Sequence, residues 1–319
     1  MNYTETSADD RLIGVSVMFL FGSLSLCINL FVIFGVKHSK SFGDVFGMIC
    51  ISQCSANCGN GGVFALLVAP ITLINPAWHV TYWGSRCGQL LILFWNADLL
   101  SHLVTSVNRF CIMFFPMQYS HYFTKRVMKI SIAIAWTISA CQAAPYFNYD
   151  CTLQLDMKSQ TFQFLLTPCT PYVALYFDWY YSLCLISLIT ITDLVTLWKI
   201  TQMKTTADED RNRRRSRDRR FFFQTITQGT IIITELTFYF YISTLVSNKW
   251  TQFAMTTFAW ILAHTLDGFT VIVFNRELRS IKCSVVVTTS TSTTIAHSKV
   301  TSTLQSHVVS VPRHSDVTQ

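Results

Sequence analysis

The sequence predicts an all-α membrane protein, a seven-transmembrane helix bundle with the N-terminus outside and the C-terminus in the cytosol. Composition argues against a soluble domain: 51% of the residues are hydrophobic and 13% charged, where soluble proteins carry about 25% charged residues. Seven apolar runs follow one another, at 12–36, 45–74, 90–112, 127–144, 172–198, 221–245 and 252–274. Each holds about 18 or more residues, enough for a helix to cross roughly 30 Å of hydrocarbon. Charge supplies the third observation. One set of alternating loops holds only Arg11, Arg86, Lys158 and Lys249, and the other 20 of the 24 Lys and Arg lie on the opposite side. Basic residues stay cytosolic, so the tail is inside and the number of crossings is odd.

Residues 1–11 form the predicted extracellular N-terminus, with Asn2-Tyr3-Thr4 as a glycosylation sequon. Glu5, Asp9 and Asp10 stand where a signal peptide would be basic, and the first run is too long for its apolar core. A retained first helix is expected. Lys37–Lys40 and the segment Arg109–Lys129 are basic inner loops. The longest outer connection, Pro145–Pro171, carries Cys151, Asp156 and Cys169. With Cys87 these are the cysteines predicted outside, where disulfides form; three cannot all pair. The other eight lie in spans or at the cytosolic end, and those in spans read as small apolar packing residues. The longest inner loop, Lys199–Arg220, includes Arg211, Arg213, Arg214 and Arg215, and no Pro or Gly precedes Phe221. A charged helical extension of the sixth span follows. Residues 12–282 read as one membrane domain. From Ser284 onward 16 of 36 residues are Ser or Thr, so 283–319 is expected to be a disordered cytoplasmic tail.

At the inner end of the third span the chain reads Asn108-Arg109-Phe110-Cys111, with Pro116 and Tyr119 after it. An arginine there could simply extend to the interface. The accompanying Pro and Tyr, Trp136 and Pro145 in the fourth span, Asn29 in the first and Trp83 before Cys87 instead make the pattern resemble rhodopsin-like receptors. A narrower resemblance is to the class X serpentine chemoreceptors of nematodes. It rests on Ser41-Phe42-Gly43, Ile51-Ser52-Gln53, Gly88-Gln89, Ser101-His102-Leu103, Phe222-Phe223-Gln224, Asn248-Lys249-Trp250, the run from Trp260 to Gly268, and Phe274-Asn275-Arg276. Each string is weak alone; together, in order and on the right spans, they cover roughly Leu12–Lys282.

The resemblance implies a G-protein-coupled receptor for a small environmental chemical, in the plasma membrane of a sensory-neuron cilium. Its implied partners are an unknown ligand, a heterotrimeric G protein and, at the C-terminal tail, arrestin. It also implies coupling through Asn108, Arg109, Phe110, Pro116 and Tyr119, aided by the arginines of 211–215. Four departures from the rhodopsin-like pattern stand out. Asn108 replaces the acid, so Arg109 lacks its intrahelical ion-pair partner and is expected to be held by hydrogen bonds alone. The sixth span has no Pro. Asp267-Gly268-Phe269-Thr270-Val271 stands where Asn/Asp-Pro-x-x-Tyr is the rule, with Gly268 expected to keep the backbone free. Cys87 lies 22 residues before Arg109, about one turn closer than usual, so the family's pairing of Cys87 with the second outer loop and the pairing Cys151–Cys169 both stay open.

Ionisable residues inside the spans are few, and lipid makes each costly: Asp98, Asp193, Glu235, His264 and Asp267, with Asp178 near the outer end of the fifth. The resemblance puts Asn29, Asn57, Asp98 and Asp267 in a polar core of the kind that often surrounds a sodium ion. Asp98 and His102, four residues apart, share one helix face. The competing reading is a neutral carboxyl satisfied by polar neighbours, with packing value only. Leu91 occupies the third-span position at which aminergic receptors have an Asp, which argues against a biogenic amine. Phe94, Trp95, Trp179, Tyr239 and Trp260 are the candidate ligand pocket, against the alternative of an aromatic interface belt. No catalytic, cofactor or metal signature is present, so neither an enzyme nor a cofactor is expected. The net charge of +7 is this cytosolic asymmetry, suited to anionic lipid and not to nucleic acid. A transporter or channel using the intramembrane acids is the rival class; the internal repeats usual in transporters are absent, and the charge asymmetry opposes the inverted insect-type channel.

Overall fold

Seven long helices form the bundle in the computed structural model, which describes residues 7–39, 42–202 and 209–280. Six of them are long and apolar enough to cross a membrane: α1 (Ala8–His38), α2 (Asp44–Ile74), α3 (Arg86–Phe114), α4 (Lys125–Phe147), α5 (Pro171–Gln202) and α7 (Lys249–Phe274). The other, α6 (Glu209–Phe240), begins in the Arg-rich segment and carries Gln224, Gln228 and Glu235 within its apolar half, which lowers its hydropathy without shortening it. The backbone is helical through Arg211, Arg213, Arg214 and Arg215, so the sixth span does extend as a charged helix. Asn2 and the tail 283–319 lie outside the described residues.

Local chemistry sets several helix ends. The Ser7 hydroxyl accepts from Asp10 N at 3.2 Å, Thr124 Oγ1 accepts from Val127 N at 3.3 Å, and Asn248 Oδ1 accepts from Trp250 N and Thr251 N at 2.9 and 3.1 Å. Each satisfies amides that a helix start leaves unpaired. Asn248-Lys249-Trp250 is thus the N-cap of α7, and Lys249 also pairs with Asp10 of α1. At the other end Asn275 Nδ2 donates to Gln224 Oε1 of α6 at 3.2 Å.

Burial ranks the helices. The apolar stretch of α3 is 67% buried, against 22% for α4 and 28% for α5. The third helix is therefore the axis of the bundle, while α4 and α5 turn much of their surface outward. Polar residues accumulate on the inner faces: Asn29, Asn57, Ser106 and Thr257 are all fully buried. With no water in the hydrocarbon region, such groups must find one another.

One short β element accompanies the helices. Leu153–Asp156 and Thr161–Phe164 form an antiparallel hairpin, pairing Leu153 with Phe164 and Asp156 with Thr161. Asp156 shapes the turn by accepting from Ser159 N at 2.9 Å and Ser159 Oγ at 2.6 Å. The disulfide joins Cys151 to Cys169 at a Cα–Cα distance of 5.2 Å, tying the hairpin's two flanks together. Cys87 is a free, buried thiol on α3. The hairpin sinks into the open end of the bundle: Leu153, Leu155 and Phe162 are at most 3% exposed, each burial contributing about 1.5–3 kcal/mol. Gly88 of α3 permits this approach, because a Cβ there would lie 2.1 Å from the Leu153 carbonyl oxygen. Thr257 Oγ1 donates to Gln160 O at 2.9 Å, and Tyr239 OH donates to Phe162 O at 2.9 Å. The bundle therefore has a hairpin end, plugged by its own loop, and an Arg109 end.

Candidate functional site: three polar clusters along the bundle axis

Midway along the bundle, α2, α3 and α7 bring their polar residues into contact. Asp267 Oδ2 accepts from Gln53 Nε2 and from Asn57 Nδ2, each at 2.6 Å. Its other oxygen lies 3.2 Å from His102 Nε2, and Asp98 Oδ2 is 3.8 Å from the same nitrogen. His264 Nδ1 is 3.8 Å from Asp98 Oδ2 and hydrogen-bonds Asn57 Oδ1. The structure thus brings Asn57, Asp98 and Asp267 together and puts an imidazole between the two acids. Gln53 and His264 are the members that sequence reasoning did not place here. Their signal was the i, i+4 spacing of Gln53 with Asn57, and the i, i+3 spacing of His264 with Asp267.

Asn29 supports the cluster from α1. Its Nδ2 donates to Ser25 O at 2.9 Å and to His264 O at 3.2 Å. Gly268 serves this contact and not hinge freedom: a Cβ at that position would lie 2.4 Å from Asn29 Oδ1. Asp98, His102 and Asp267 each offer a ligand atom, all within 4.8 Å of one another, a spacing that one cation could bridge. Asp267 Oδ2 is already occupied by two amide donors, and Oδ1 faces the His102 imidazole.

At the Arg109 end, Arg109 is 8% exposed. Its guanidinium lies 5.8 Å from the Phe46 ring of α2 and 6.0 Å from the Phe221 ring of α6, within cation–π range. Its charge also reaches Asp193 of α5, whose Oδ1 accepts from Ser106 Oγ at 2.7 Å. An acid on another helix thus acts on Arg109 by charge, beside the hydrogen bonds expected in the absence of an acid at position 108. Asn108 Oδ1 instead accepts from Tyr119 OH at 2.8 Å. Pro116 opens the short helix Pro116–Tyr122 that carries this tyrosine, and Phe110 stacks on Phe114 at 4.4 Å, away from the arginine. A cavity of about 450 Å³ opens here, lined by Asn108, Arg109, Tyr119, Thr196 and Phe221 among others. The side chains of Arg211, Arg213, Arg214 and Arg215 lie outside the described residues.

Beneath the hairpin, Trp95, Tyr239 and Trp260 line a small cavity with Asp178 and Glu235. The three rings meet edge to face, Trp95 to Trp260 at 6.4 Å and Tyr239 to Trp260 at 6.0 Å. Two of the five predicted pocket residues are elsewhere. Phe94 points to the opposite face of α3, against Gly59 and edge-on to Trp136 at 6.2 Å; consecutive residues on a helix diverge by about 100°, so Phe94 and Trp95 could not both face inward. Trp179 packs against Phe240, the rings tilted at 44° with centroids 4.7 Å apart, instead of lining the cavity. Trp95 also stands edge-on to His264 at 5.9 Å, joining this cavity to the central cluster.

Comparison with known proteins agrees with this arrangement. The chain matches the family described as serpentine type 7TM GPCR chemoreceptor Srx over residues 19–275. It is 27% identical to serpentine receptor class X 45 of Caenorhabditis elegans across 88% of this chain and 83% of that protein. To serpentine receptor class X-43 of the same organism it is 26% identical, across 86% of each. The match runs from Phe19, within α1, to Asn275 and includes Arg109, the central cluster and the hairpin. The transporter and channel readings raised by the buried acids fall away. The chain belongs to the Srx family of seven-transmembrane G-protein-coupled chemoreceptors, which are multi-pass membrane receptors and not enzymes.

Proposed function

We propose that this receptor binds a small chemical at its hairpin end and activates a heterotrimeric G protein at its Arg109 end. The carrying observation is Arg109: a buried cation, flanked by aromatic rings from α2 and α6 and within electrostatic reach of an acid on α5, at the edge of a cavity of about 450 Å³. Separating α6 from α2 would remove Phe221 from the guanidinium and widen that cavity into a docking crevice. Asn108, Phe110, Pro116 and Tyr119 hold the arginine's helix end in place, and the Arg211–Arg215 segment extends the contact by charge. In this reading the Arg109 end is cytosolic, as the Lys/Arg asymmetry requires, and the Ser/Thr-rich tail is where arrestin binds after phosphorylation. The ligand acts through Trp95 and His264 on the polar core of Asn29, Asn57, Asp98 and Asp267. The receptor works at the plasma membrane, and membrane lipid is its remaining partner.

The test is Arg109→Ala in full-length receptor. Nucleotide exchange on the G protein should fall to background while surface expression, read through an N-terminal tag on intact cells, is retained. Wild-type exchange from the variant would refute the role given to Arg109. A C-terminal tag stained without permeabilisation would refute the orientation.

A further inference from the structure

Asp178 of α5 and Glu235 of α6 are each 6% exposed, and both line the cavity beneath the hairpin. Asp178 lies in the π-helical turn Pro171–Tyr180, a local widening of the kind found at functional sites, and it is among the few buried residues of that segment. The two carboxyl groups are close enough to feel one another's charge. Among the described residues no Lys, Arg or His lies in ion-pair contact with either. Among the described residues Glu235 Oε2 has no hydrogen-bond partner, and neither does Trp260 Nε1 on the same cavity wall. Two unpaired acids in a low-dielectric bundle are costly, and the central cluster differs, since there both acids lie within 3.8 Å of an imidazole nitrogen and Asp267 also accepts from two amides.

The space fits a head group and not a whole ligand. The acid-lined cavity measures about 20 Å³, roughly the volume that admits a single water. Beside it lies a larger vestibule of about 300 Å³ between the hairpin and the ends of α5, α6 and α7. Tyr239 and Phe240 line both spaces, and Tyr239 is held in place by its bond to Phe162 O on the hairpin. The vestibule is walled by Phe162, Phe164, Leu175 and hydroxyl-bearing residues, and among the described residues no basic side chain lines either space. An anionic head would meet two acids and no cation. A cationic head would meet both acids and the faces of Trp95, Tyr239 and Trp260, the combination that recognises ammonium groups.

We propose that Asp178 and Glu235 form the recognition point for a protonated amine, with the ligand's apolar body in the vestibule under the hairpin. This rests on the receptor reading above and names its ligand class. Leu91 denies an amine the third-span acid of aminergic receptors, whereas these two acids come from α5 and α6. Binding requires Tyr239 to release Phe162, so that the two spaces merge.

The experiment uses purified full-length receptor in lipid nanodiscs, with thermal unfolding as readout. The probes are methylammonium and phenethylammonium chlorides, with sodium chloride, 2-phenylethanol and 3-phenylpropionate as matched controls. The expected result is a rise in the unfolding midpoint with the ammonium probes alone, saturable for phenethylammonium. Glu235→Gln and Asp178→Asn should each raise its half-saturating concentration about tenfold or more, as breaking a buried charge pair does, and the double variant should abolish the shift. Removing a buried acid should leave each variant folded, and its own unfolding transition verifies this. Equal shifts with neutral or anionic probes, shifts retained by the double variant, or no shift with either ammonium salt would each overturn the proposal. No G protein is present, so a failure here leaves the receptor reading to be judged by the Arg109→Ala exchange assay.

Discussion

Replacing Gly268 by Ala isolates one contact in the central cluster. The added methyl would lie 2.4 Å from Asn29 Oδ1, 2.7 Å from Cγ and 2.9 Å from Nδ2, so about 1 Å must be absorbed to restore van der Waals contact. Asn29 is fully buried, and turning its amide over only exchanges one close atom for another. Pushing it away breaks the 3.2 Å bond from Nδ2 to His264 O, at about 1–3 kcal/mol for a buried carbonyl left alone. Overpacking adds about 1–3 kcal/mol, and the better helix propensity of Ala returns about 1 kcal/mol. The net destabilisation is about 1–5 kcal/mol, a drop of several degrees in the unfolding midpoint. The assay is a double-mutant cycle by thermal unfolding of purified receptor: wild type, Gly268→Ala, Asn29→Ala and the pair. Asn29→Ala vacates the space that the new methyl needs, so the double variant should be at least about 1 kcal/mol more stable than the sum of the singles predicts. A midpoint for Gly268→Ala at or above wild type, or strict additivity, would refute the close-contact argument.

Asp98→Asn and Asp267→Asn should each change basal and ligand-driven nucleotide exchange, and the pair should be non-additive by about 1 kcal/mol or more, because both acids face His102 Nε2; independent effects would mean that the imidazole does not couple them. Reducing Cys151–Cys169 releases a link across 18 residues, worth about 3 kcal/mol in chain-entropy terms. Cys151→Ser should therefore lower the unfolding midpoint and abolish its sensitivity to reductant, whereas Cys87→Ser should keep that sensitivity; the reverse pattern would mean that Cys87 is the bonded partner.

Much of the architecture was legible because lipid is a demanding solvent. Length and hydropathy exposed six spans directly, and the Phe221–Leu245 run could be counted as the remaining one despite Gln224, Gln228 and Glu235. Arg109, Pro116 and Tyr119 could be recognised from their order alone, and Asn57, Asp98 and Asp267 from their depth along the spans. The hairpin was missed although its signal is present. Leu153 and Leu155 alternate with Gln154 and Asp156, and Phe162 and Phe164 with Thr161 and Gln163, the period of a strand.

Other features were decided only when the helices met. Whether Phe94 or Trp95 faced the pocket depended on the rotation of α3, which composition does not encode; Gly59 admits one ring and Ser182, whose Oγ accepts from Trp95 Nε1 at 3.3 Å, receives the other. Asp193 became the acid near Arg109 because α5 crosses α3 at Ser106. Gly268 owes its place to an asparagine 239 positions earlier in the chain. Asp178 and Glu235 read along the sequence as two isolated acids, and only the packing of α5 against α6 puts both on one cavity without a partner. Sequence determined what each helix could tolerate in lipid, because transfer cost is a property of each residue and its neighbours along the chain. Tertiary structure decided which polar groups satisfy one another, because that depends on helix rotation and on contacts between residues far apart in sequence.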